Sequence, residues 1–169
     1  MVILYVTLIV VALCLAICFV ILRYRSVEVR RRKDKLREAL WFRNHRIPLI
    51  IEMAERGGLK SEVSQKIIEL RAAAANGAYS LAEQMELERK LTHLLFEFLK
   101  VTKATPGLKS DPLFLSLEQE HSKVLEHIRI TLNDYNFALQ QFHGYARLPW
   151  FAIFAFLFEI RRDRVLEPV

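Results

Sequence analysis

Glycine and proline are scarce in this chain, five of each among 169 residues, and cysteine is scarcer still, with two. There is no glycine-rich loop to cradle a phosphate, no cysteine cluster and no nucleophile elbow. Nothing reads as a strand, an internal repeat or a low-complexity stretch. Cys14 and Cys18 both fall in the first apolar run, at i and i+4 on one helix face, which excludes a disulfide scaffold. They read as small apolar helix-packing residues, and a reducing compartment suits the rest of the chain.

Charge is the third absence. Residues 2–22 carry none, and at about 1.5 Å rise per residue they span roughly 31 Å as a helix, the thickness of a bilayer's hydrocarbon core. This is the signature of a transmembrane helix, with Val2, Leu8, Cys14, Cys18 and Leu22 among its membrane-spanning positions. A cleaved secretory signal would show basic residues ahead of a shorter run, and none precedes this one. Leu15-Ala16-Ile17-Cys18 has the outline of a lipidation box, but Ile17 is too large for the position before a modified cysteine.

Immediately beyond the apolar run the chain turns strongly basic. Ten Lys or Arg lie between Arg23 and Arg46, against the three acids Glu28, Asp34 and Glu38. The positive-inside rule then leads us to expect a single-pass membrane protein with its N-terminus outside and its domain in the cytoplasm. Of 25 basic and 19 acidic residues, 15 and 16 remain beyond that segment, so the domain proper is close to neutral. Nucleic-acid binding, which needs a basic docking face, is not expected. Arg23, Arg25, Arg30, Arg31, Arg32 and Lys33 read instead as a belt at anionic headgroups, each such cation contributing about 1 kcal/mol near a membrane surface.

The chain therefore divides into a transmembrane helix at 1–22, a basic juxtamembrane start of the first helix at 23–46, a helical bundle over 28–145 and an apolar tail at 146–169. In the first helix Leu36, Leu40, Ile47, Ile50, Ile51 and Ala54 recur at helical spacing until Gly57-Gly58 stops it. Pro48 lies inside this pattern and predicts a kink or a short interruption before it. A second helix runs from an N-cap at Ser61 through Val63, Ile67, Leu70 and Ala74 to Asn76-Gly77. The third opens on the capping box Ser80-Leu81-Ala82-Glu83 and presents Leu81, Met85, Leu91, Leu94, Leu95, Phe98 and Leu99 before Thr105-Pro106-Gly107 breaks it. Helices two and three could be one rod bent at Asn76-Gly77 or two antiparallel rods.

The fourth helix starts with Asp111 as N-cap and Pro112 at the first helical position. Phe114, Leu117, His121, Val124, Ile128, Thr131, Tyr135, Ala138 and Phe142 then alternate spacings of three and four, widened by Leu125, Leu132 and Leu139. So broad a face suits the core of a bundle. The tail from Leu148 to Phe158 is apolar all round but too short to cross a bilayer. It either packs on the base of the bundle or dips into the membrane interface, with Trp150 and Phe154 in lipid and Arg161, Arg162 and Arg164 at the headgroups. If the helices run up and down, the fourth returns toward the membrane and the tail sits beside the anchor.

Chemistry-bearing groups are thin. Glu118-x-x-His121 has the i, i+3 spacing that di-iron bundles use twice, but it occurs once, and with His121 on the core face a hydrogen-bonded core histidine is the better account. His93 and Glu97 form an ordinary helix-surface pair, and His127 and His143 belong to no recognisable motif. No catalytic residue, metal or cofactor is expected. Tyr135 and Asn136 read as structural, ordering the bundle by a buried hydroxyl and an amide.

Four stretches give the chain a family likeness. Ile47-Pro48-Leu49-Ile50-Ile51-Glu52 is similar to Leu-Ile-Pro-x-Leu-Val-Glu, and Pro106-Gly107-Leu108-Lys109-Ser110 to Tyr-Pro-x-Leu-Lys-Ala. Phe114-Leu115-Ser116-Leu117-Glu118-Gln119-Glu120 is similar to Phe-x-x-Leu-Gln-x-Glu, and Ile128 with Tyr135-Asn136 and Ala138-Leu139 to a late Ile and Tyr-Asn-x-Ala-Val spacing. On these the chain resembles LemA proteins, as a divergent member. His45 replaces an acid, Leu132 stands where Arg is usual, Phe142-His143 replaces a second Tyr-Asn, and the tail is one residue shorter. The resemblance implies an all-α fold, an N-terminal membrane helix followed by an up-and-down four-helix bundle, with Pro48, Glu52, Pro106, Leu108, Lys109, Tyr135 and Asn136 as its motif residues. It implies no catalytic chemistry; some relatives are associated with membrane or organelle formation.

The expectation is a non-enzymatic scaffold or adaptor at the cytoplasmic membrane face, with membrane lipid and a protein as partners and an oligomer open. The alternative is a membrane-remodelling or organelle-biogenesis factor in which tail and basic belt engage lipid.

Overall fold

The computed structural model describes residues 1–59, 62–76, 79–155, 157–158 and 163–167. Ser61, Gly77, Arg161 and Arg162, expected from sequence to supply a cap, a helix end and two headgroup contacts, lie outside them. Among the described residues the regular structure is all helical: α1 (Val2–Arg56), α2 (Glu62–Ala74), α3 (Leu81–Ala104), α4 (Pro106–Lys109), α5 (Pro112–Ala146) and α6 (Pro149–Ala155). They form two compact units, one of residues 1–35 and 133–165, the other of 36–132 and 166–169, so α1 and α5 contribute to both.

The second unit is an up-and-down four-helix bundle. Arg71 of α2 reaches Asn44 of α1, and α2 packs on α3 as a separate antiparallel rod, which settles the open choice between one bent helix and two. Arg46 of α1 pairs with Glu120 of α5, and Lys103 of α3 with Glu118, so α5 runs against both. Between the helices lies an apolar core: Ile47, Ile50, Ile51 and Ala54 meet Ile67, Leu91, Leu95, Phe98, Leu108 and Phe114. Each large side chain so buried stabilises the fold by roughly 1.5–3 kcal/mol.

Local chemistry sets the ends. Ser80 Oγ accepts from the Glu83 N–H while the Glu83 carboxylate accepts from the Ser80 N–H, the capping box expected of α3. Asp111 caps α5 by accepting from the Leu113 N–H at 2.8 Å. The two glycines after α1 serve different needs. Gly58 takes φ +89°, and Leu59 N–H and Gly58 N–H donate to the Ala54 and Glu55 carbonyls in a Schellman turn. At Gly57 a Cβ would stand 2.5 Å from the side chain of Leu108, buried in the core, so only glycine lets the two approach. Leu108 is carried by α4, a single turn where the sequence predicts only a break; Pro106 at its first position accounts for the turn.

Of the two outcomes expected at Pro48, a kink or a short interruption, the interruption does not occur: α1 continues through it. Proline cannot donate to the carbonyl four residues earlier. Here that carbonyl, Asn44 C=O, accepts instead from Arg71 Nη1 at 3.3 Å, so a side chain from α2 replaces the missing backbone bond.

The first unit holds the apolar start of α1, the end of α5 and α6. One helix among the described residues is long and apolar enough to cross a membrane, the N-terminal part of α1, and its most apolar stretch is not covered by protein. Val2 is 76% and Leu8 65% exposed. Further along the covering begins: Leu22 is fully buried, and Phe19 meets Phe154 edge-on at 5.8 Å and Phe158 at 6.3 Å. Phe158 also meets Phe142 at 6.1 Å. Phe154 and Phe158 of the tail thus pack beside the apolar start of α1 and the end of α5, while Trp150 remains 69% exposed.

Candidate functional site

In the bundle, charge sits where the apolar stripes call for hydrocarbon. Arg43 falls between Leu40 and Ile47 on α1, and Glu88 between Met85 and Leu91 on α3; both side chains are 0% exposed and form an ion pair. Two isolated charges could not be buried at this depth, because each loses its hydration; paired, each supplies the other's missing polarisation. Burial still holds the Arg43 guanidinium below its ordinary range, down to about 10.

The pair is embedded in further polar contacts. Arg43 Nη1 donates to Thr92 Oγ1 at 2.5 Å, and the Thr92 hydroxyl donates to the Glu88 carbonyl at 2.8 Å. Asn44 Nδ2 donates to Glu88 Oε1 at 2.8 Å, and a carboxylate can only accept, so the Asn44 amide is fixed in one orientation. Its backbone carbonyl is the one that Pro48 frees and Arg71 takes up. A chain of contacts therefore runs from α2 through α1 to α3.

His121 of α5 stands at the edge of this network. It is 5% exposed, as the sequence stripe requires, but among the described residues neither ring nitrogen has a hydrogen-bond partner, and Nδ1 is enclosed. The expected hydrogen-bonded core histidine is thus half right. Desolvation, then the Arg43 charge, lowers its pKa to about 4 against an opposing pull from Glu118, so the ring is neutral at physiological pH. Glu118 itself pairs with Lys103. Among the described residues no three His, Cys, Asp or Glu side chains gather as metal ligands would.

His121 also lines the floor of a groove of about 460 Å³ between α3 and α5, with Phe96, Leu99, Leu125, Ile128 and Leu132 as its apolar walls. A second groove of about 620 Å³, between α1 and the α2–α3 connection, is lined by Arg37, Trp41, His45, Arg71, Tyr79 and Gln84. The Trp41 and His45 rings meet at a tilt, 4.2 Å between centroids.

The residues singled out from sequence fall into both units. Val2, Leu8 and Cys14 are exposed and Cys18 half-buried, on the uncovered part of α1. Of the belt, Arg23, Arg30 and Arg31 are exposed. Arg25 lies over the Tyr145 ring at 5.3 Å, Arg32 bridges Glu28 and Asp134 at 2.7 and 2.5 Å, and Lys33 pairs with Asp163 at 3.0 Å. The Arg32 hydrogen bond holds the Glu28 carboxyl below its ordinary range. Half of the belt is thereby engaged within the protein. Tyr135 is buried and its hydroxyl donates to Asp163 Oδ2 at 3.3 Å; Asn136 beside it is half-buried. Glu52 makes an exposed pair with Arg56, Leu108 is core, and Pro106 and Lys109 are exposed at α4.

Sequence reasoning does not single out Asn44, Arg71, Glu88 or Thr92, and it places Arg43 among the juxtamembrane cations. A signal for the pair is nonetheless present in the spacing, since a charge at a stripe position of one helix is matched by the opposite charge at a stripe position of another.

The profile that defines the LemA family matches residues 36–168, most of the chain, beginning where the bundle unit begins. No curated protein matches.

Proposed function

Since this chain belongs to the LemA family, we propose that it is a membrane-anchored, non-enzymatic adaptor, whose bundle faces the cytoplasm and binds another protein near the membrane. One observation carries the reading: a single helix, α1, is both the uncovered apolar segment and the first rod of a bundle whose charged centre is sealed. Arg43 and Glu88 have no route to a substrate, and a group that cannot meet a reacting atom cannot transfer a proton or attack. The bundle offers surface instead. The face between α1 and the α2–α3 connection presents Trp41, Tyr79, Arg37 and Arg71, residue types that dominate interface centres.

A photoreactive amino acid placed at Trp41 in cells should give the same discrete adduct in replicate preparations, while one at exposed Lys66 should not. Adducts that vary from preparation to preparation, or appear equally at both positions, would sink the adaptor reading.

The second reading, a membrane-remodelling factor, draws on the exposure of Trp150. Full-length protein reconstituted in anionic vesicles should then deform them, and Trp150→Ser should stop it. Phe154 contributes less to this reading, being packed on Phe19.

A further inference from the structure

The α3–α5 groove changes character along its length. On α5 its lining runs from Glu118, His121 and Ser122 to Leu125, Ile128 and Leu132; on α3 Lys100 and Lys103 stand near the polar end and Phe96 toward the apolar one. Two of the rim pairs cancel, Lys103 with Glu118 and Arg129 with Glu126. Lys100 makes no ion pair among the described residues, so the polar end carries one uncompensated positive charge. Beside it, in the floor, is a neutral imidazole more than nine-tenths buried, with no hydrogen-bond partner among the described residues for either nitrogen.

A cation, an unused N–H and a strip of hydrocarbon in that order are complementary to one chemical class. We infer that the groove is a binding site for a long-chain carboxylic acid, its carboxylate accepting from Lys100 Nζ and the His121 N–H, its single acyl chain lying along Phe96, Leu125, Ile128 and Leu132. The volume, about 460 Å³, is within the range of small-ligand pockets. From 118 to 132 the α5 wall extends roughly 21 Å at 1.5 Å per residue, a length suited to an extended chain rather than a compact ring. A neutral imidazole suits this role because it donates one N–H without needing a buried counter-charge. The adaptor reading neither requires nor excludes the site.

The test uses the full chain in phosphatidylcholine nanodiscs with a hexadecanoic acid carrying a photoreactive diazirine near its tail, and adducts mapped by mass spectrometry. Labelling of residues 2–22 by probe dissolved in the bilayer serves as internal reference. Adducts at Phe96 and over residues 125–132 are expected, suppressed about tenfold by excess hexadecanoate and little by hexadecanol. Relative to the reference, His121→Leu and Lys100→Ala should each lower them about tenfold, and Leu125→Trp should abolish them by filling the groove. Lys100 is exposed, so its variant keeps the test valid even if the buried one unfolds.

Adducts confined to the anchor, equal suppression by the alcohol, or indifference to both head-end variants would overturn the proposal. So would crosslinking of Ser122→Cys chains to one another without acyl labelling, since a second copy would then occupy the groove.

Discussion

At the scale of single residues, the bundle depends on charges that hydrophobic patterning alone would never place inside. Removing one partner of the Arg43–Glu88 pair strands the other in a medium that cannot solvate it, a loss of about 3–5 kcal/mol. Arg43→Ala and Glu88→Ala should each destabilise by that order in chemical denaturation of micelle-held protein. The double variant Arg43→Met, Glu88→Leu should cost far less than the two together, because no charge is left behind. If the double variant is as unstable as the sum, the pair was not the reason for the loss.

His121 gives a second prediction, in pH. Its pKa is about 4 in the folded protein against 6.5 ordinarily, because burial disfavours the charged ring. Between those values an unfolded chain binds a proton that the folded chain refuses, so stability falls as pH drops from 6.5 toward 4 and this contribution levels off below. The full loss is about 3 kcal/mol. His121→Leu should flatten that part of the pH–stability curve relative to the parent; parallel curves would remove the histidine from the account. The burial of His121 is legible in the sequence, since its stripe position is regular, but its lack of a partner is not, because hydrogen bonding across helices leaves no trace in spacing.

At the scale of elements, the long helices are readable wherever periodicity and caps agree. Ser80-Glu83, Asp111-Pro112 and Gly57-Gly58 all end or begin helices as their chemistry dictates. Pro48 shows the limit. A proline's cost is local and visible in sequence, whereas its remedy, Arg71, arrives from another helix. Arg71→Ala should therefore destabilise by about 1–3 kcal/mol, the cost of a buried carbonyl left unmade. In a Pro48→Ala background, where the backbone can close its own bond, most of that loss should vanish. A double-mutant cycle by thermal unfolding measures it, and strictly additive effects would dissociate the two residues. The one-turn α4 is hidden from sequence for a similar reason, its purpose being to deliver Leu108 to Gly57.

At the scale of the whole molecule, the candidate membrane segment is the plainest feature of the sequence, because 21 residues without a charge admit few other readings. The candidate functional site is the least plain, assembled from α1, α2, α3 and α5 with no contiguous motif. Orientation can be checked directly. With Cys14 and Cys18 replaced, a Lys66→Cys chain should resist a membrane-impermeant maleimide in intact cells and react after lysis. Reaction before lysis would place the bundle on the opposite side.

The split composition of the first unit, from residues 1–35 and 133–165, also fixes an order in time. A ribosome delivers the apolar start of α1 first and Phe154, its neighbour across Phe19, almost last. The run 36–132, being continuous, can condense while synthesis proceeds, whereas the surroundings of that apolar segment wait for the end of translation. A chain released early would hold a bundle lacking only its closing residues, 166–169, and an unfinished collar, with Phe19 bare for quality-control proteases to find.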